Sequence, residues 1–530
     1  MKKVTTVILI FLLAFSAISQ TVISGGDIEG TWTSDGNPYL IEGNMVIEPG
    51  ERLDIDPGVK IVFTGPYIIE VFGRLDATGT PNDSITFTTS DTSGFATNSY
   101  NGWSGMVFYG PTNTPNDFSY LKYCNVEYSS LSGVACFTYS NLKISHSTIR
   151  KNKFSGINLM DVSDISVDNS IISNNGGEGI NVSFSSPMVN DFIVKGNGGS
   201  GIKISGSSNS AQQPTFTNGT ISNNHAAFSG GGINVDMDAG AILENVSVKG
   251  NTATNGGGIY SSFGYVQVRN CEITGNYAQS GGGIFCSNYS TLAMAHVLVS
   301  NNHANQYGGG IYVYNAETTL DHITSAANSA SEMGGSMFFD LLPNFENTIT
   351  NSISYQNFPD EIIAFGSDPV IRYSNVSGGF SGIGNKDKDP KFADLIKGNF
   401  KLSWPGFPND TREMSPCIDS GDPTSQTDPD GTISDMGYTY FHQSNGIFLS
   451  DSKQPQASIY PNPARNVVYI ENIGDDAKEV SIYNLSGQKL KNRSGIGLHK
   501  FNISDIETGL YIIRIEKKNG SSETHKLMIE

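Results

Sequence analysis

Cutting a glycosidic bond takes two carboxyl groups about 5–10 Å apart, one as acid and one as base or nucleophile. Asp236 with Asp238 and Asp161 with Asp164 have the right types at short spacing, although solvated surface acids are the simpler reading. Proton abstraction beside a uronate takes a cation to neutralise the carboxylate and a Lys, Arg or His as base. Arg150, Lys151 and Lys153 cluster in one turn, and Lys203 shares an outward phase with Asn158, Asn181 and Asn234. No Lys or Arg recurs with Asp, so no catalytic residue is assigned. Asp428-x-Asp430-Gly431 with Asp435 has part of a calcium loop's spacing but lacks a bidentate Glu. It is the one metal candidate, a closing turn capped by Asp explains it equally well, and no other cofactor is expected. A row of rings is more suggestive. Tyr260, Phe285, Tyr312 and Phe338 each follow the apolar residue of a repeated glycine motif, and Tyr314 lies two past Tyr312. Rings stacked on an outward face form a platform for the C–H faces of sugars. The alternative is a ladder that only stabilises the sheet.

The element that would stack those rings is a repeat. Gly230-Gly231-Gly232-Ile233 recurs as GGGI ending at Ile259, Ile284 and Ile311, and as GGSM ending at Met337, in steps of 25 to 27 residues. An asparagine runs in phase: Asn152, Asn175, Asn197, Asn224, Asn251, Asn276, Asn302 and Asn328. The early copies are 22 or 23 residues apart, and the later ones add a small loop carrying Ala226, Ala253, Ala278, Ala304 and Ala330. Each copy holds three short runs of period-2 alternation, the mark of half-buried strands. Three strands per 22–27 residues over eight copies predict a parallel β-solenoid, with like residues one rung, about 4.8 Å, apart. The asparagines then form a ladder in a tight turn. Cys124, Cys271, Cys136 and Cys286 fall on inward phases, where buried thiols are favoured over disulfides.

Composition agrees. Glycine is 60 of 530 residues, well above the usual share, yet without collagen's three-residue period. Aromatic residues make up 10%, too many for a disordered chain. The net charge is −19, which excludes nucleic acid as a partner. That charge is uneven: residues 457–530 carry ten basic against nine acidic groups, and residues 20–456 carry twenty against forty-two. At the N-terminus, Lys2 and Lys3 precede an apolar run from Val7 to Phe15 and the small-residue site Ala17-Ile18-Ser19. That is the pattern of a secretory signal peptide over residues 1–19. No other run approaches 18 apolar residues, so no transmembrane segment is expected in the mature chain.

The GGGI and Asn repeats, such as Val248 to Ala253 followed by Gly256-Gly257-Gly258-Ile259, resemble the polymorphic outer-membrane-protein repeat, with an aliphatic residue in place of its usual phenylalanine. More broadly the chain resembles the right-handed parallel β-helix superfamily, which includes pectate-lyase-type folds, adhesins and phage tailspikes. Glu48-Pro49-Gly50, Asp56-Pro57-Gly58 and Gly102 to Phe108 resemble its opening coils. Tyr373 to Gly379, Asp389-Pro390-Lys391-Phe392 and Ser415 to Gly421 resemble its closing segment. The resemblance implies a right-handed parallel β-helix of about 12–14 coils over 22–375, a closing segment over 376–440 and a linker over 441–456. Further on stand Tyr460-Pro461-Asn462-Pro463-Ala464, a turn at Gly487, "GLYIIRI" from Gly509 and a final "HKLMIE" containing Lys526. Residues 457–530 read as a small β-sandwich and are similar to the C-terminal sorting domain of type IX secretion cargo. That similarity implies outer-membrane translocation by the type IX machinery, usual removal of the tail, and release or surface attachment. The leading functional reading is a secreted or surface-displayed protein that binds a polysaccharide or cell-surface glycan, or acts in adhesion. A polysaccharide lyase or glycoside hydrolase and a purely structural surface protein are the competing readings.

Overall fold

Three short strands recur in most coils because three runs alternate apolar and polar residues, and in two later coils the first two merge into Thr291–Ser300 and Glu317–Ala326. One coil shows the pattern in Leu142–Ser145, Thr148–Arg150 and Ile157–Met160. A computed structural model describes residues 20–93, 102–110, 118–139, 141–161, 163–206, 213–443, 457–460, 462–471, 477–484, 488–494, 498, 500–518 and 522–529. The signal peptide, most of the linker, Pro461 and Gly487 lie outside the described residues.

The first two strands of each coil stack into one broad parallel sheet of 27 strands, and the third into a narrow parallel sheet of 14. Register holds residue for residue: Ile157, Ile180, Ile202, Ile233, Ile259, Ile284, Ile311 and Met337 pair in succession. One buried apolar interior runs from Ile28 to Val376. Between the first two strands the chain turns through a left-handed residue, including His146, Asn169, Asp191, Asn218, Asn245 and Asn270. Asn and Asp tolerate that conformation better than most.

The loop that lengthens the later coils is itself ordered. Tyr277–Ala278, His303–Ala304 and Ser329–Ala330 form a third parallel sheet whose alanines are buried. All five cysteines are free and buried, and burial pushes the thiols of Cys271, Cys286 and Cys417 up to about 12.

The segment after Val376 doubles back along the flank of the last coils. Phe400 packs with Leu298 and Ala326, while Leu402, Cys417, Ile418 and Met436 pack with Ile353. Tyr438 N donates to Thr324 Oγ1 at 3.0 Å, and Asp422 N donates to Asn351 Oδ1 at 2.6 Å. His322 Nε2 bonds Ser434 Oγ at 2.7 Å.

The chain divides into two compact units at 444/445. In the second, antiparallel strands form a three-stranded and a four-stranded sheet around a core that includes Val468, Ile482, Phe501 and Ile513.

Candidate functional site

The row of rings lies on the outward face of the narrow sheet. Its strands read apolar-x-apolar-x, so the second and fourth residues point out and stack coil upon coil. The second position runs Asn158, Asn181, Lys203, Asn234, Tyr260, Phe285, Tyr312 and Phe338. The fourth runs Met160, Ser183, Ser205, Asp236, Ser262, Ser287, Tyr314 and Asp340.

The ring row is a contiguous ladder. Tyr260 meets Phe285 edge-on at 5.6 Å, Phe285 stacks on Tyr312 at 4.4 Å, and Tyr312 leans on Phe338 at 5.2 Å. Facing outward does not leave every ring open. Tyr312 is 8% exposed and Phe338 3%. Tyr307, from the inserted loop, stacks on Phe338 at 5.1 Å, and Phe365 meets Phe338 edge-on at 5.4 Å. Tyr260 and Phe285 stay half-exposed and Tyr314 is exposed, so the accessible end of the row is Tyr260.

Tyr260 opens onto a groove of about 560 Å³, lined also by Asn234, Asp236, Asp238, Ser262 and Phe263. Burial raises the Asp236 carboxyl above its ordinary pKa, and Lys203 pulls it back down. Its Oδ1 and that of Asn234 are buried without a hydrogen-bond partner. Asp161 and Asp164 lie outside the groove. The rim residues Met237 and Phe263 hold φ of +57° and +50°, where a bulky L-residue costs about 1–2 kcal/mol. That turn leaves both side chains exposed, and Tyr289 stacks on Phe263 at 6.2 Å. The ring row was visible in the sequence because it follows GGGI. The rim was not, because its residues share no motif.

The asparagines lie just after the second strand of each coil, in a buried ladder. Asn251 shows the unit: its Nδ2 donates to Asn276 Oδ1 at 3.1 Å and to Ile221 O at 3.0 Å. Its Oδ1 accepts Asn224 N and Nδ2, both at 3.0 Å. The same pattern joins Asn152, Asn175, Asn197, Asn224, Asn276, Asn302 and Asn328. Asn357 adds a ninth rung after a longer step, and Glu361 ends the row by accepting its Nδ2 at 2.7 Å.

The three aspartates considered for calcium are engaged as turn caps. Asp428 Oδ2 accepts Asp435 N, and Asp430 Oδ1 accepts Thr432 N and Oγ1. Asp435 Oδ1 and Oδ2 accept Asp419 N and Phe441 N. Among the described residues no three His, Cys, Asp or Glu side chains are grouped to hold a metal. In the tail, Asn462 Oδ1 accepts Met528 N at 2.8 Å, and its Nδ2 donates to Lys526 O at 2.9 Å. Tyr460 stacks on Tyr469 at 5.8 Å, and Gly509 opens the strand Gly509–Lys517.

Residues 82–225 and 194–330 match the family described as the right-handed beta helix region, and residues 458–530 match the secretion system C-terminal sorting domain. No curated protein matches the chain. Similar solved structures include the pectate lyase Pel9A, at 12% identity over 73% of this chain and 88% of that one, with a TM-score of 0.37. A mutant of the periplasmic alginate epimerase AlgG is 12% identical over 63% of this chain and 77% of its own, at a TM-score of 0.27. The alginate lyase from Paenibacillus sp. str. FPU-7 is 13% identical over 59% and 92%, at a TM-score of 0.20. Similarity this low carries no argument about activity.

Proposed function

The chain is a right-handed parallel β-helix with a type IX sorting tail, exported to the cell surface or secreted, and on that footing we propose that it binds glycans in the groove at Tyr260. The observation that carries this reading is the joining of two features at one place. The aromatic ladder surfaces at Tyr260 and Phe285, and the polar residues Asn234, Asp236, Asp238 and Ser262 line the groove beside Tyr260. A sugar needs both, a ring for its C–H face and polar atoms for its hydroxyls. The test is binding of a glycan array by the mature protein and by Tyr260→Ala/Phe285→Ala. The double variant should bind any ligand at least tenfold more weakly. Undiminished binding would sink the platform.

One observation favours a second reading, glycoside cleavage. Burial raises the Asp236 carboxyl above its ordinary pKa, in a groove that Asp238 also lines. A raised carboxyl is suited to protonating a leaving oxygen. Reducing-sugar release from any polysaccharide, abolished in Asp236→Asn, would establish that reading. Release of unsaturated uronate would instead indicate a lyase.

A further inference from the structure

The narrow sheet has a second aromatic surface, at its other end. Phe72, Tyr109 and Phe137 occupy the outward fourth position of three successive coils. Their rings stack at 4.8 Å and 5.7 Å, with interplanar angles of 12° and 17°. Phe72 is 39% exposed, and Tyr109 and Phe137 are half-exposed. Cross-strand stacking by itself stabilises a sheet. It does not require the stack to lie open at the surface, and the covered rings Tyr312 and Phe338 show that this fold can bury such a stack.

Between the two aromatic surfaces the same face is polar except at Met160. Going along the axis it presents Asn158, Asn181, Lys203 and Asn234 at one position, and Met160, Ser183, Ser205 and Asp236 at the other. Asn181 Nδ2 donates to Asn158 Oδ1 at 2.8 Å, which holds the two amides in line. Five rungs separate Phe137 from Tyr260, about 24 Å at the inter-strand spacing. The sequence concealed this arrangement, because the stretch from Phe72 to Tyr109 has no GGGI to set its phase.

We propose that the groove at Tyr260 is one end of an extended site, and that its ligand is a linear, uncharged polysaccharide lying along the helix axis to Phe137, Tyr109 and Phe72. The proposal rests on the glycan-binding reading above and adds the ligand's shape and charge. The shape follows from geometry: two ring surfaces on one straight face, joined by hydrogen-bonding side chains, match a polymer with repeating C–H faces and hydroxyls. The charge follows from complementarity. Lys203 is the one cation among these eight joining residues, and Asp236 beside it offsets it. Glu70 adds a carboxylate at the far end, near Tyr109. The surrounding body carries twenty basic against forty-two acidic groups, so a polyanion would be repelled.

Two surfaces on one polymer act as linked sites, so affinity should climb with chain length once the chain spans both. The experiment uses the mature protein with neutral β-1,4-gluco-, β-1,4-manno- and α-1,4-gluco-oligosaccharides of two to ten units, and with oligogalacturonates of matched length. Isothermal titration should show at least tenfold tighter binding of the longest neutral chains than of the shortest. Tyr109→Ala/Phe137→Ala should lose that gain and keep short-chain affinity within twofold, while Tyr109→Phe should retain it. Melting curves for each variant verify that the fold is intact. Length-independent binding, an unaffected double variant, or preference for the oligogalacturonate overturns the extended site while leaving the groove standing. Binding of none of these probes by the mature protein overturns the extended site. The array in the preceding test then decides whether the groove falls as well.

Discussion

Asp435 is 1% exposed and lies among the like charges of Asp428 and Asp419, and burial pushes its carboxyl up to about 7. Two backbone N–H groups bonded to it favour the charged form without overcoming that burial. The folded chain therefore holds a proton that the unfolded chain, with an ordinary aspartate, has lost. This contribution to stability is fully present below the unfolded pKa of about 4 and is lost as pH rises through about 7. Urea unfolding of the wild type and of Asp435→Asn, followed across pH 4 to 8, should show the wild type losing stability relative to the variant as pH rises. A difference independent of pH would mean that Asp435 is charged throughout. Residue identity was readable at this scale where a motif marked it, as for the asparagines. For Asp435 the sequence offered two roles, a metal ligand and the cap of a closing turn, and could not choose between them. Only the chain folding back on itself shows that its oxygens cap turns.

The coil explains why the glycine motif has three glycines. The first takes a left-handed φ, as at Gly256 with +62°. The second and third lie against the next coil: a Cβ on Gly257 would stand 2.5 Å from the carbonyls of Gly282 and Tyr277, and one on Gly258 2.5 Å from Gly283 O. Any side chain there would push two rungs apart and break the ladder bonds on either side. Gly257→Ala should destabilise the β-helix by about 1–3 kcal/mol, read as a lower urea midpoint. An unchanged midpoint would show that the coils separate freely. Strand positions were legible in the sequence because a period of two is local. The inserted loop was legible only as extra length, since its pairing into a third sheet depends on neighbouring coils.

The two units differ in charge as well as architecture, an acidic β-helix and a near-neutral sorting domain. Their contacts cluster separately, so removal of residues 457–530 should leave the melting of residues 20–444 unchanged. In the producing cell that truncated chain should stay inside the outer membrane, as fractionation and immunoblotting would show. Its appearance at the surface or in the medium would assign export to some other part of the chain.

The sequence alone determined the solenoid, its register and the separate export tail, because each is written in spacing that repeats or in short motifs read locally. Tertiary structure decided which outward residues are open. Tyr260 and Tyr312 occupy equivalent positions of the same repeat, yet one borders a groove and the other lies among Tyr307, Tyr314 and Phe338. Accessibility depends on what the inserted loops and neighbouring coils bring alongside, and periodicity carries no record of that. For the same reason Phe72, Tyr109 and Phe137, separated by stretches without the repeat motif, became one surface only when the coils were stacked.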